Sequence, residues 1–145
     1  MEDIRFFALS LLWELKNGSM SILSEASFVT RGQRRIVTEI EERLTADLSH
    51  RYTVSDLAAE YGISPSALKK YFEEVFGLPI SHYLRQKRMA LAKTLLSETR
   101  QSVSEIANQC GYTHQGKFGS AFRESEGMSP LEYRRINFRK RGTEE

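Results

Sequence analysis

One cysteine, three histidines and three prolines stand among 145 residues, and each scarcity removes a class of protein. Cys110 cannot close an internal disulfide, and with three scattered histidines it has no metal-ligand spacing, which excludes a disulfide-stapled secreted fold and structural zinc. Apolar residues make up 40% and charged residues 28%. With so few prolines, that balance describes a globular chain and excludes collagen-like or disordered ones. No run approaches the roughly 20 consecutive apolar residues of a membrane span. The first residues lack the basic segment and apolar run of a secretory signal, so the expectation is a cytoplasmic protein with no membrane contact. There is no glycine-rich phosphate loop, and no Ser/His/Asp or Cys/His set can be placed together. The sequence therefore predicts neither an enzyme nor a bound cofactor. The length allows one or two small units and no large multidomain enzyme.

What is present is unevenly distributed. Residues 1–49 carry six Lys/Arg against eight Asp/Glu, whereas residues 50–145 carry fifteen against eleven. The basic surplus of the second part attracts polyanions, yet by itself it does not separate nucleic acid from a solvated basic face.

An internal repeat gives that surplus a context. Thr53-Val54-Ser55-Asp56-Leu57-Ala58-Ala59-Glu60-Tyr61-Gly62 matches Ser102-Val103-Ser104-Glu105-Ile106-Ala107-Asn108-Gln109-Cys110-Gly111 in chemical type at nearly every position. After one extra residue in the second copy, Leu68, Phe72, Gly77 and Tyr83 correspond to Phe118, Phe122, Gly127 and Tyr133. Each copy reads as two short helices around a tight turn. Thr53 with Asp56 and Ser102 with Glu105 have the spacing of reciprocal capping boxes. Val54, Leu57, Ala58 and Tyr61 recur on one helical face, as do Val103, Ile106, Ala107 and Cys110. Gly62 and Gly111 then end the helices, because a C-terminal residue with positive φ is least costly as glycine.

Ser64-Pro65 restarts the first copy as cap and first helical residue. A helix from about Pro65 to Phe76 turns Leu68, Tyr71, Phe72, Val75 and Phe76 inward and Ser66, Lys69, Lys70, Glu73 and Glu74 outward. Its counterpart runs from about His114 to Glu126, with Phe118, Ala121 and Phe122 inward and Gln115, Gly116, Lys117, Gly119, Ser120 and Arg123 outward. Between the copies, Ile80 to Ser97 keeps a helical pattern through Tyr83, Leu84, Leu91, Ala92, Leu95 and Leu96, and at 1.5 Å per residue it spans roughly 27 Å. Ser129-Pro130-Leu131-Glu132 opens a final helix that leads to a basic tail at Arg139-Lys140-Arg141. Upstream, Gln33 to Leu48 reads as an amphipathic helix striped by Ile36, Ile40 and Leu44. A separate helix from about Glu2 to Lys16 is followed by a serine-rich linker to Gly32. The expected fold is all-α, about eight helices, divided as residues 1–32, 33–138 and 139–145.

A capped helix, a glycine turn and a second helix with an exposed polar N-terminal face is the sequence form of a helix-turn-helix, whose second helix enters the DNA major groove. Two copies joined by one helix sharpen that reading. The chain resembles the AraC/XylS family of bacterial transcription regulators through Gly111-Tyr112, Phe118, Phe122, Gly127, Ser129-Pro130 and Tyr133-Arg134. Arg88-Met89-Ala90-Leu91-Ala92 with Leu95-Leu96 is similar to that family's linker helix. The resemblance covers about residues 35–137. It implies a homeodomain-like, double helix-turn-helix domain that contacts adjacent major grooves of double-stranded DNA and also contacts RNA polymerase.

Carried over by position, the first head would use Ser66, Lys69 and Lys70, and the second His114, Gln115, Gly116, Lys117, Gly119, Ser120 and Arg123. The heads are unequal. His114 and Gly116 depart from the small polar or acidic residue and the serine common in the family, and glycines 116 and 119 carry no side chain to read a base. Arg85, Lys87 and Arg88 of the linker helix are expected to face solvent or phosphate. Cys110 is expected to be a small buried hydrophobe. Phe6, Phe7, Leu11, Leu12, Trp13 and Leu15 suggest packing on this chain's own core, or self-association through the N-terminal helix. The alternative to a sequence-specific regulator is a helical protein-interaction module that uses the same surfaces.

Overall fold

The computed structural model describes residues 29–138. Among them lie seven helices and no strand: α1 (Arg31–Ala46), α2 (Val54–Glu60), α3 (Pro65–Phe76), α4 (Ile80–Glu98), α5 (Val103–Gln109), α6 (Gln115–Glu126) and α7 (Pro130–Phe138). The expected all-α, twofold helix-turn-helix architecture is present. The N-terminal helix expected over Glu2–Lys16 and the tail at Arg139-Lys140-Arg141 lie outside the described residues.

The helix starts follow the caps. Ser102 Oγ accepts from the Glu105 amide at 3.1 Å while the Glu105 carboxylate accepts from the Ser102 amide at 2.8 Å. Ser129 and Glu132 repeat the same exchange at the head of α7. At Thr53 only half of the expected box forms: its hydroxyl accepts from the Asp56 amide at 3.1 Å, and Asp56 makes no return bond. Aspartate is one methylene shorter than the glutamate that closes the other box. α1 begins earlier than its apolar stripe suggests. Thr30 and Gln33 form a complete capping box, which places Arg31 and Gly32 inside the helix and not in a linker, and α1 ends at Ala46 instead of Leu48. Its buried stripe is Val37, Ile40 and Leu44, with Ile36 only half-buried.

Both tight turns close the same way. The Gly62 and Ile63 amides donate to the Ala59 and Ala58 carbonyls at 3.2 and 3.0 Å, and the Gly111 and Tyr112 amides donate to Asn108 and Ala107 at 3.0 and 2.9 Å. This paired arrangement satisfies the last carbonyls of the helix, and it needs a left-handed residue, supplied by Gly62 at φ 66° and Gly111 at φ 81°.

Each head packs around its own buried cluster. The first joins Val37, Ile40, Leu44, Leu57, Ala58, Leu68, Phe72, Ile80 and Tyr83. The second joins Met89, Ala92, Leu96, Ile106, Ala107, Cys110, Phe118 and Phe122. Burying each of the large side chains contributes about 1.5 to 3 kcal/mol. The sequence repeat reappears as repeated geometry: Phe72 meets Tyr83 edge-on at 5.3 Å and 79°, and Phe122 meets Tyr133 at 5.4 Å and 78°.

α4 runs unbroken for 19 residues. Its first turns belong to the first cluster through Ile80 and Tyr83, and its remainder to the second through Met89, Ala92 and Leu96. Tyr83 also donates its hydroxyl proton to Glu41 of α1 at 2.6 Å. Burial and this carboxylate both push the phenol's pKa upward. At the far end Arg134 of α7 donates to the carbonyls of Leu96 at 3.2 Å and Thr99 at 3.4 Å, and also to Gln101. A cation there satisfies one orphan carbonyl of α4, at Leu96, and opposes the negative end of its dipole.

Candidate nucleic-acid interface

Two helices, α3 and α6, follow the glycine turns, and their lengths are equal at 12 residues. Ser64 caps α3 by accepting from the Ala67 amide at 3.1 Å, with Pro65 as the first helical residue. The ring face of α3 is buried through Leu68 and Phe72, which sends Ser66, Lys69 and Lys70 into solvent. Tyr71 fixes the helix from the side, its hydroxyl accepting from Gln33 Nε2 of α1 at 2.8 Å.

α6 is anchored by Phe118 and Phe122, both fully buried. Gln115, Gly116, Lys117, Ser120 and Arg123 are exposed, and Gly119 is half-buried. His114 is the N-cap and is exposed, so α6 starts one residue later than expected; its side chain makes no capping bond. Ser120 turns its hydroxyl back onto the Gly116 carbonyl at 3.1 Å. The structure thus brings the expected outer residues of each copy together on one exposed helix face.

Charge is graded along both helices. Lys69 and Lys70 precede Glu73 and Glu74 in α3, and Lys117 precedes Glu124 and Glu126 in α6. Among the described residues no salt bridge holds Lys69, Lys70, Lys117 or Arg123, whereas Glu124 and Glu126 are paired with Arg85 at 2.7 Å and Lys93 at 3.3 Å. Lys69, Lys70 and Lys117, in the first halves of their helices, are left free for a polyanion, while part of the acidic charge is tied back to α4. Helix N-termini carry partial positive charge, which adds to the same effect.

The two glycines of α6 are not required by the protein's own packing. A Cβ at Gly116 or Gly119 would meet nothing within 4 Å. Alanine at either position is expected to raise stability by about 0.5 to 1 kcal/mol, because glycine carries more backbone entropy into the unfolded state; urea denaturation measures it.

Arg88 departs from the expected solvent or phosphate role. Its guanidinium is half-buried and donates from Nε to the Leu48 carbonyl at 3.3 Å. Burial lowers its pKa from the ordinary guanidinium value. The signal was in the sequence: Leu84, Arg88, Leu91 and Leu95 fall at helical spacing on one stripe. Arg85 is partly exposed and pairs with Glu124, and Lys87 lies over the Tyr83 ring at 5.4 Å from its centroid. Cys110 is fully buried as expected, and burial pushes its thiol up to about 11.

Two helices, each presented by a glycine-turned partner and each with basic groups outward that no salt bridge holds, define a helix-turn-helix protein. A family model described as a helix-turn-helix domain matches residues 57–136, and this chain belongs to the AraC/XylS family, whose DNA-binding domain the described residues form. It is similar to the HTH-type transcriptional activator RhaR of Klebsiella pneumoniae, 36% identical over 91 residues, covering 63% of this chain and 32% of that protein. RhaR of Escherichia coli K12 is 30% identical over 105 residues, covering 72% of this chain and 37% of its own length. The chain therefore spans about a third of the length of these relatives.

Among solved structures, the DNA-binding domain of AdpA in complex with a target DNA aligns with TM-score 0.69 at 26% identity, covering 74% of this chain and 96% of that one. The C-terminal domain of the response regulator yesN from Fusobacterium nucleatum aligns with TM-score 0.61 at 34% identity, covering 72% and 99%. These likenesses favour nucleic acid over the protein-interaction alternative. Among the described residues no helix is long and apolar enough to cross a membrane.

Proposed function

We propose that this protein is a bacterial transcription regulator that holds double-stranded DNA with both heads at once, α3 and α6 entering successive major grooves on one face of the duplex. The observation that carries the reading is the pair of glycine-turned helices whose exposed Lys69, Lys70 and Lys117 are held by no salt bridge, mounted on the single unbroken helix α4. In this reading Ser66, Lys69 and Lys70 contact bases from the first head. Gln115 and Ser120 read an edge from the second, with glycines 116 and 119 admitting the duplex close to the backbone. Lys117, Arg123 and His114 hold phosphates, which position the protein without specifying sequence. The reading places the protein in the cytoplasm and gives it no catalytic step. It includes contact with RNA polymerase and self-association through the segment before residue 29.

Selection of bound duplexes from a random pool tests it. A protein without a preferred sequence, or with binding insensitive to salt, overturns it, because phosphate neutralisation releases counterions and gives a steep log-log slope. Lys69 and Lys70 can reach guanine O6 and N7, a contact that supplies about 1 to 3 kcal/mol of discrimination. Replacing both with alanine is therefore expected to flatten the preference at one half-site. Lys117→Ala and Arg123→Ala are expected to weaken all sequences alike and to reduce the salt slope by about one each. Anisotropy titrations across salt concentrations distinguish the two patterns. Gly116→Ala, although more stable, is expected to bind DNA less tightly.

A further inference from the structure

Where the two heads meet, polar groups from each close on the other. Arg51, in the loop between α1 and α2, donates from Nε to the Gly111 carbonyl at 2.8 Å. Arg88 of α4 donates in the opposite sense, to the Leu48 carbonyl in the first head's loop, at 3.3 Å. A Cβ on Gly111 would lie 2.5 Å from the Leu48 carbonyl oxygen and 3.0 Å from Arg88 Nε, so the loop of one head rests directly on the turn of the other. Both accepting carbonyls lie just beyond the C-terminal ends of helices, where partial negative charge gathers. A guanidinium bonded to such a carbonyl makes a directional, charge-assisted contact.

Two open clefts adjoin this clasp, one at Arg88 and one at Leu48. One, of about 510 Å³, is lined by Arg85 and Arg88 of α4 and by Lys117 and Ser120 of α6. The other, of about 340 Å³, lies between the loop at Leu48–Ser49 and Leu91 and Gln109. The buried clusters of the two heads do not merge, and the first head holds α4 only through Ile80, Tyr83 and Leu84 near its start. Apolar packing and the Tyr83–Glu41 hydrogen bond hold the first head at those turns of α4 alone, and the clasp is what opposes rocking about them.

We infer that Arg51 and Arg88 are positioning residues which set the angle and separation of α3 and α6, and with them the number of base pairs this protein requires between its half-sites. The inference rests on the DNA-binding reading above. Successive major grooves on one face repeat every 10 to 10.5 base pairs, so two inserted pairs turn the second half-site by about 70°. A rigid two-headed reader then loses one head, whereas a rocking one follows.

The test uses the full chain and a duplex obtained by selection, with the same half-sites respaced by inserted base pairs. The unaltered protein is expected to lose at least about tenfold in affinity on insertion of two pairs, and Arg51→Ala to lose no more than about threefold on the same respacing. Arg51→Lys, which keeps a cationic donor, restores the dependence. Arg51 is exposed and lies outside both buried clusters, so the alanine variant is expected to keep its helical circular dichroism. Spin labels at Glu74→Cys and Ser125→Cys give a readout that needs no DNA, and Cys110, fully buried, escapes labelling. Their distance distribution is expected to broaden in Arg51→Ala. An unchanged distribution, or an unchanged dependence on spacing, overturns the inference. Failure of the unaltered protein to bind any selected duplex overturns the DNA-binding reading instead and leaves the label distances to decide the clasp.

Discussion

Gly111→Ala is expected to cost about 2 to 5 kcal/mol of stability, a large share of what a domain of this size possesses. Two effects add. The residue sits at φ 81°, where an L side chain is strained by about 1 to 2 kcal/mol. Its Cβ would also stand 2.5 Å from the Leu48 carbonyl oxygen, a backbone atom that moves only with the loop carrying it. Forcing a methyl group into such a contact adds about 1 to 3 kcal/mol. Gly62 supplies the internal control, since it has φ 66° in the equivalent turn but nothing within 4 Å of its Cβ. Gly62→Ala is therefore expected to show the backbone strain alone, about 1 to 2 kcal/mol. Equal losses for the two variants in urea denaturation would mean that the first head does not press on Gly111.

Phe118→Ala is expected to cost about 3 to 5 kcal/mol and to fall mainly on one head. The ring is fully buried among Met89, Ala92, Leu96, Ile106 and Phe122, with Tyr112 edge-on at 5.6 Å. None of those residues belongs to the cluster of the first head. Native-state hydrogen exchange is expected to show protection lost across α5 and α6 and largely retained across α1 to α3, since local opening follows contiguous packed units. Phe72→Ala, fully buried in the other cluster, is expected to reverse the pattern. Uniform loss of protection through both heads in either variant would show that α4 fuses them into one cooperative core.

Much of the interface was legible before any coordinates. The exposed set on α3 and α6 followed from helical period alone, because burying Leu68, Phe72, Phe118 and Phe122 forces Lys69, Lys70, Gln115 and Lys117 outward. The start of α1 is also legible, because Thr30 and Gln33 have the three-residue spacing of a capping box. Met89 is almost fully buried although the leucines around it carry the apolar stripe of α4. Of Arg85, Lys87 and Arg88 on the linker helix, only Arg88 turns inward onto a backbone carbonyl, and its place between Leu84 and Leu91 is the available sign.

Local sequence is enough for the helices, most of their ends, the twofold repeat and most of the residues that each helix buries. Those properties depend on neighbours within about four positions or on a fixed helical period, so they are written locally. How one head is set against the other depends on contacts between residues far apart in the chain. Arg51 reaches Gly111, Arg88 reaches Leu48, Tyr83 reaches Glu41 and Arg134 reaches the end of α4, all across at least 33 residues of chain. A helical pattern states which face is buried but not the angle at which two buried faces are joined. That angle is settled by directional hydrogen bonds between distant backbone carbonyls and guanidinium groups, for which one-dimensional spacing holds no code.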